Sequence, residues 1–185
     1  MGYPGLVDHN GIKAEPANLA PGWVGFHFSK AFGHPVKILN DAAMQALGSY
    51  EGGRMLFLSL GTGVGSTFIS GKVIVPLELG RLAYRDGEIG EHLGREGLKR
   101  LGLKAWRRAI EEIVPVLKEA FVADYVVVGG GNADKAPLLP DTRRGNNDNS
   151  FRGGFRLWAT DMAPTQTPHS SEPEAALRPE DWYQV

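Results

Sequence analysis

The chain has 185 residues, 42% of them hydrophobic, and a formal net charge of -1. That length suits one ordinary domain or two unequal lobes, and the near-neutral charge offers no global field to recruit nucleic acid or an anionic membrane. The lack of cysteine excludes disulfides and thiolate metal sites, no apolar run approaches the roughly 20 residues of a spanning helix, and Met1–Gly5 does not read as a secretory leader, so a cytoplasmic protein is expected.

Residues 1 to 35 are rich in Gly and Pro, with turns at Pro4-Gly5 and His9-Asn10-Gly11. Trp23 to Phe32 reads as a short helix burying Trp23, Phe26, Phe28 and Phe32. Val36–Leu39 reads as a strand, and Ala42–Tyr50 as a helix that Asp41 is placed to cap. Gly52-Gly53 turns into an apolar strand, Met55–Leu60. Gly61-Thr62-Gly63-Val64-Gly65 connects it to a second strand, Ser66–Ile69, and Ser70-Gly71-Lys72 turns into Val73–Val75, giving an antiparallel set. Residues 76–88 look irregular, and Glu91–Leu101 can be helical. In Ala105–Phe121, apolar residues recur at three- and four-residue spacing, which predicts a helix that Pro115 should kink. Tyr125–Val128 reads as a buried strand ending at Gly129-Gly130-Gly131-Asn132. Arg143–Asn149 reads as a polar loop and Ser150–Trp158 as a last short helix. Residues 160–185, rich in Pro, Ser, Thr and Glu, read as a mostly disordered tail. No internal repeat is visible.

Four elements are suited to chemistry. A carboxylate at a strand end, Asp41, can take a proton from a substrate hydroxyl, and the neighbouring Asn40 amide can orient the same molecule; the plainer reading is a helix cap. The Gly61–Gly65 loop can aim several N–H groups at one phosphate, with Thr62 adding a hydroxyl, or can simply be a permissive hairpin turn. No Gly-Lys-Ser/Thr follows, so it is not a Walker loop. Gly129–Gly131 can let a nucleotide lie on the backbone or can serve as an ordinary turn, and it is not the dinucleotide fingerprint. Glu78, Arg81, Glu88, Glu91 and His92 make a charged cluster whose carboxylates suit sugar hydroxyls or a solvated helix start, without the ligand spacing of a zinc site.

Their order along the chain is more specific than any one of them. Asn18-Leu19 with Trp23, Asn40-Asp41-Ala42, Leu60–Gly65, Glu78-Leu79-Gly80 and Val127–Gly131 resemble the motif series of ROK sugar kinases, and Tyr3–Asp8 with Gly11 fits the same pattern. The resemblance covers residues 2–158. It implies an α/β, actin-like ATPase (ribonuclease H-like) fold with a mixed sheet and flanking helices. Residues 1–41 would be the remainder of a small N-terminal lobe, 42–158 a large lobe and 159–185 the tail. It further implies a kinase that phosphorylates a hexose such as glucose at the 6-hydroxyl from ATP or polyphosphate, with Mg2+ and without zinc. Asp41 would be the general base. Gly5, Asn40, Asp41, Glu78, Arg81 and Glu91 would hold the sugar. Gly61, Thr62, Gly63 and Gly65 would hold donor phosphates, and Gly129, Gly130 and Gly131 would meet the adenosine. The partners are then a hexose and a phosphoryl donor, not nucleic acid or membrane, with a homodimer as a candidate assembly.

Three departures stand out. Arg81 occupies the place where the family has histidine, and a guanidinium can only donate. The cysteine-rich zinc motif is missing, which resembles the polyphosphate-dependent branch, as does Arg144-Gly145-Asn146-Asn147. The opening Asp-x-Gly-Gly-Thr hairpin is not present, so a chain short of one phosphate loop is expected, with impaired activity. A non-catalytic sugar-binding relative or degenerate fragment is the alternative.

Overall fold

The computed structural model describes residues 1–8, 11–16, 19–159 and 183–184. Its first stretch forms β1 (Gly2–Tyr3), β2 (Val7–Asp8), β3 (Gly11–Ile12), α1 (Phe28–Phe32) and β4 (Leu39–Asn40). β1 and β4 pair in parallel with Tyr3 opposite Asn40, and β2 and β3 form an antiparallel pair. Tyr3, Val7, Ile12 and Phe28 are buried together, with Trp23, Val36 and Ile38 against them. The helix expected over Trp23–Phe32 covers only its last five residues, because Gly25 takes a left-handed φ of 76° and His27 is not helical. Phe26 and Phe32 are 49% and 61% exposed rather than buried.

α2 (Asp41–Ser49) leads into three antiparallel strands, β5 (Arg54–Leu60), β6 (Val64–Ser70) and β7 (Val73–Leu77). A small hairpin of β8 (Ala83–Tyr84) and β9 (Gly87–Glu88) precedes α3 (Ile89–Leu93) and α4 (Arg95–Ala120). β10 (Tyr125–Gly129) then returns parallel to β5, and β11 (Thr142–Arg144) lies parallel to β10. α5 (Asn149–Trp158) and β12 (Tyr183–Gln184) complete the order, β12 running parallel to β7. The sheet reads β11-β10-β5-β6-β7-β12, a mixed sheet. The tail expected over 159–185 lies largely outside the described residues.

β5 is apolar on both faces because helices cover both. Leu56, Leu58 and Leu60 face Trp106, Ile110 and Val114 of α4. Met55 and Phe57 belong to the other core, with Ala43, Ala46 and Leu47 of α2 and Leu157 of α5. Alternation of successive side chains across the strand makes this split. Trp106 is fully buried, and its Nε1 donates to the Leu93 carbonyl at 2.9 Å, as a buried indole requires.

Several expectations are corrected. Asn40, not Asp41, caps α2: its Oδ1 accepts from the N–H groups of Ala42 at 2.9 Å and Ala43 at 3.2 Å, and Asp41 is the first helical residue. The division expected between the helices at 91–101 and 105–121 is present as a break at Gly102 (φ 73°, ψ 162°), but the first of them is itself divided at Gly94, and Pro115 does not interrupt the helical dihedrals. Part of the polar loop expected at 143–149 is β11 and the start of α5.

Thr67 on β6 is fully buried, and its hydroxyl has no hydrogen-bond partner among the described residues. An orphaned hydroxyl costs about 1–3 kcal/mol. Thr67→Val, of nearly the same shape, should therefore stabilise the fold by about 1 kcal/mol in urea denaturation. A loss of stability would show that the hydroxyl has a partner.

Candidate active site

The candidate site gathers where β5 and β10 end and β6 begins. Leu60 closes β5, and its carbonyl accepts from the Asn132 N–H at 3.0 Å, bringing the glycine run after β10 against the Gly-Thr-Gly loop. Gly130, at φ 82°, lies so close that a Cβ there would meet the Leu60 backbone at 2.8 Å. On the other side the Arg95 N–H donates to the Gly61 carbonyl at 2.9 Å, anchoring the loop to the start of α4. A Cβ on Gly65 would come within 3.2 Å of the Ala42 Cβ, so this glycine lets the start of α2 approach β6. Gly80 approaches the Val64 carbonyl, and Gly90 approaches that of Gly80. Ala42 beside Asp41, the Gly61–Gly65 loop, the Glu78-Leu79-Gly80 turn and Gly129–Gly131 are thereby linked through close contacts.

The glycines divide by role. A Cβ on Gly61, Gly63 or Gly131 would meet nothing within 4 Å, so these positions face open space. Gly65, Gly129 and Gly130 are packed against protein, Gly129 against the Phe57 ring. The Gly61 N–H is spent within the loop, on Ser59 and Gly63 carbonyls, whereas the Thr62 and Gly63 N–H groups carry no hydrogen bond among the described residues. Two donors beside open space can receive an anion's oxygens.

On the α2 side the Asn40 amide is largely committed. Its Nδ2 donates to the Gly5 carbonyl at 3.1 Å while Oδ1 caps the helix, leaving one N–H for a ligand. Asp41 is solvent-accessible. Its Oδ1 accepts from the Ala42 N–H at 2.8 Å, and its other oxygen has no partner among the described residues. The protein around it raises its pKa by desolvation, against the opposing pull of the Ala42 N–H. One oxygen tethered and one free is an arrangement suited to taking a proton.

Glu78 and Arg81 lie at the turn after β7, both exposed, with Nε 3.8 Å from Oε2; such a pair contributes little stability and leaves both groups available. Glu91 forms a capping box with Glu88, its Oε2 accepting from the Glu88 N–H at 3.0 Å. No hydrogen bond among the described residues joins either glutamate to Asp41. The sequence reading placed His92 in a charged cluster without foreseeing its burial, and it missed Arg156 altogether. His92 is buried, and its place at three- and four-residue spacing among Ile89 and Leu93 was the available signal. Arg156 donates to the carbonyls of Leu47, Gly48 and Tyr50, closing the C-terminus of α2 from α5, and nothing local announces that.

Among the described residues no group of three or more His, Cys, Asp or Glu side chains could hold a metal ion. No described helix is long and apolar enough to cross a membrane.

No protein-family model matches the chain. It is 29% identical over 157 residues to a polyphosphate glucokinase of Mycobacterium leprae (strain TN), covering 74% of this chain and 48% of that protein. The chain thus spans about half the length of this curated relative. Among solved structures it is similar to the inorganic polyphosphate/ATP-glucomannokinase of Arthrobacter sp. strain KM, with TM-score 0.65 and 24% identity over 82% of this chain and 69% of that one. It is also similar to the ROK hexokinase of Thermus thermophilus, with TM-score 0.60 and 21% identity over 82% of this chain and 75% of that one. The fold is that of the ROK sugar kinases, the actin-like ATPase fold. The resemblance carried by the ordered motifs is borne out by these relatives.

Proposed function

We propose that the chain acts as a sugar kinase of the ROK type, transferring phosphate from ATP or polyphosphate to the 6-hydroxyl of a hexose, with glucose the first substrate to test. The observation that carries the reading is the packing of the start of α2 against Gly65. Ala42, next in the chain to Asp41, approaches Gly65, the last residue of a loop whose Thr62 and Gly63 N–H groups carry no hydrogen bond among the described residues. In this reading Asp41 accepts the hydroxyl proton as the sugar oxygen forms a bond to the terminal phosphorus. The donor's P–O bond breaks, and ADP or a shortened polyphosphate leaves. The free Asn40 N–H, Gly5, Glu78, Arg81 and Glu91 hold the sugar. Thr62 and Gly63 receive donor oxygens, and the opening at Gly131 admits the adenosine when ATP is the donor. Mg2+ would neutralise donor phosphate charge.

A coupled assay with glucose and each donor tests this. Glucose-dependent thermal stabilisation without turnover from either donor would favour the non-catalytic alternative. The pH profile supplies a further check. A base must be ionised, and its ionised fraction is lost as pH falls through its pKa. Because the Asp41 pKa is raised, the acid limb of kcat/KM should lie above the ordinary aspartate value of about 3.9. A rate that stays flat down to that pH would remove Asp41 from the role.

A further inference from the structure

Glu91 is read above as a sugar-binding group, yet its carboxylate does not stand free. Its Oε2 rests on the Glu88 N–H, and Gly87 lies so close to that oxygen that there is no room for a Cβ. The seat of the carboxylate is therefore the Gly87–Glu88 backbone, part of a two-stranded hairpin at the surface. Such a short hairpin has little stability of its own.

His92 fastens it. The ring is 2% exposed, on the turn of α3 that follows Glu91. Its Nδ1 lies 3.0 Å from the Glu88 carbonyl, which can only accept, so this nitrogen donates. Its Nε2 lies 2.9 Å from Asp86 Oδ1. These two contacts bracket Gly87, one on each side. The ring also stands edge-on to Tyr84, centroids 5.0 Å apart, and the Tyr84 hydroxyl donates to Glu112 on α4 at 2.6 Å. The hairpin is thus held at Tyr84, Asp86 and Glu88, with His92 touching all three. Beside it opens a groove of about 340 Å³ lined by Asp86, Glu91, His92, Glu96 and Arg100.

A buried histidine is most often a satisfied core residue. Here both bonds end on the residues flanking the support of one carboxylate, so the ring controls where that carboxylate sits. We infer that His92 is a positioning residue for Glu91, pinning the Asp86–Glu88 segment that seats the Glu91 carboxylate for the sugar. The inference rests on the reading of Glu91 as a sugar contact.

The test uses the full chain with glucose as the probe, following glucose affinity, kcat and donor KM. His92→Ala should weaken glucose binding about tenfold, since small misplacements of a contact group are costly, while kcat and donor KM hold. Glu91→Gln should weaken glucose binding at least as much. The double variant should be no worse than Glu91→Gln alone, because the ring acts through the carboxylate. His92→Asn, which keeps a donor toward the Glu88 carbonyl, and His92→Gln, which keeps one toward Asp86, should each restore part of the affinity. They also decide the matter if His92→Ala does not fold. Multiplicative losses in the double variant, or equal losses in glucose affinity and donor KM, would overturn the inference. So would full glucose affinity in His92→Ala while Glu91→Gln is impaired, and that result leaves the sugar role of Glu91 standing. Unchanged glucose affinity in Glu91→Gln removes that role and the inference with it, leaving the assignment of Asp41 intact.

Discussion

Asp41→Asn should lower kcat by a factor of about 10²–10⁴ while glucose affinity changes little, the range associated with loss of a general base. The substitution is close to isosteric. An amide oxygen can still accept from the Ala42 N–H, so the tethered side of the group and the start of α2 should survive. What disappears is the capacity of the free oxygen to take a proton. The cap itself is untouched, since Asn40 supplies it. The experiment is therefore clean: the proposed proton acceptor can be changed without touching the residue that caps the helix. Steady-state kinetics with glucose and with each donor give the readout, and full activity in Asp41→Asn would refute the assignment of the base.

Gly153→Ala should destabilise the fold by about 3 kcal/mol, at the upper end of the cost of overpacking. α2 and α5 cross at Gly48 and Gly153. A Cβ on Gly153 would fall well inside contact distance of the Met44 carbonyl oxygen, and one on Gly48 would collide with the Asn149 carbonyl. These are backbone atoms of regular helices, which cannot swing aside as a side-chain tip would. The crossing must widen, and Leu157 would withdraw from the core it shares with Leu47 and Phe57. Gly154 provides the control. A Cβ there would meet nothing within 4 Å, so Gly154→Ala should stabilise α5 by about 0.5–1 kcal/mol through helix propensity. Urea midpoints of the two variants should move in opposite directions. Equal shifts would mean that the helices do not cross at Gly153.

Those adjacent glycines show where local pattern stops being informative. In the sequence they are neighbouring residues of one expected short helix, with nothing local to tell them apart. Their difference depends on whether another helix passes overhead, and Gly48, the residue it crosses, is more than a hundred positions away in the chain. The Asn40-Asp41 pair makes a similar point at shorter range. Either residue is a good cap, and pairing of β4 with β1, together with the Gly5 carbonyl waiting for the Asn40 amide, selects between them.

By itself the sequence determined the elements whose signal is local and periodic. β5, β6 and β10 follow from short apolar runs closed by glycines, and most of α4 follows from its three- and four-residue spacing, because the burying face of an element is written into its own residues. The ordered motifs also made the actin-like fold legible, through the family resemblance they carry. Only the tertiary structure decided which glycines face solvent and which face backbone, that Arg156 closes α2, that Thr-Arg-Arg joins the sheet as β11, and that His92 holds the seat of Glu91. Those outcomes depend on partners from distant segments or on the packing of several short ones. Polar side chains choose partners by geometry after the chain has folded, and no periodicity in the sequence records that choice.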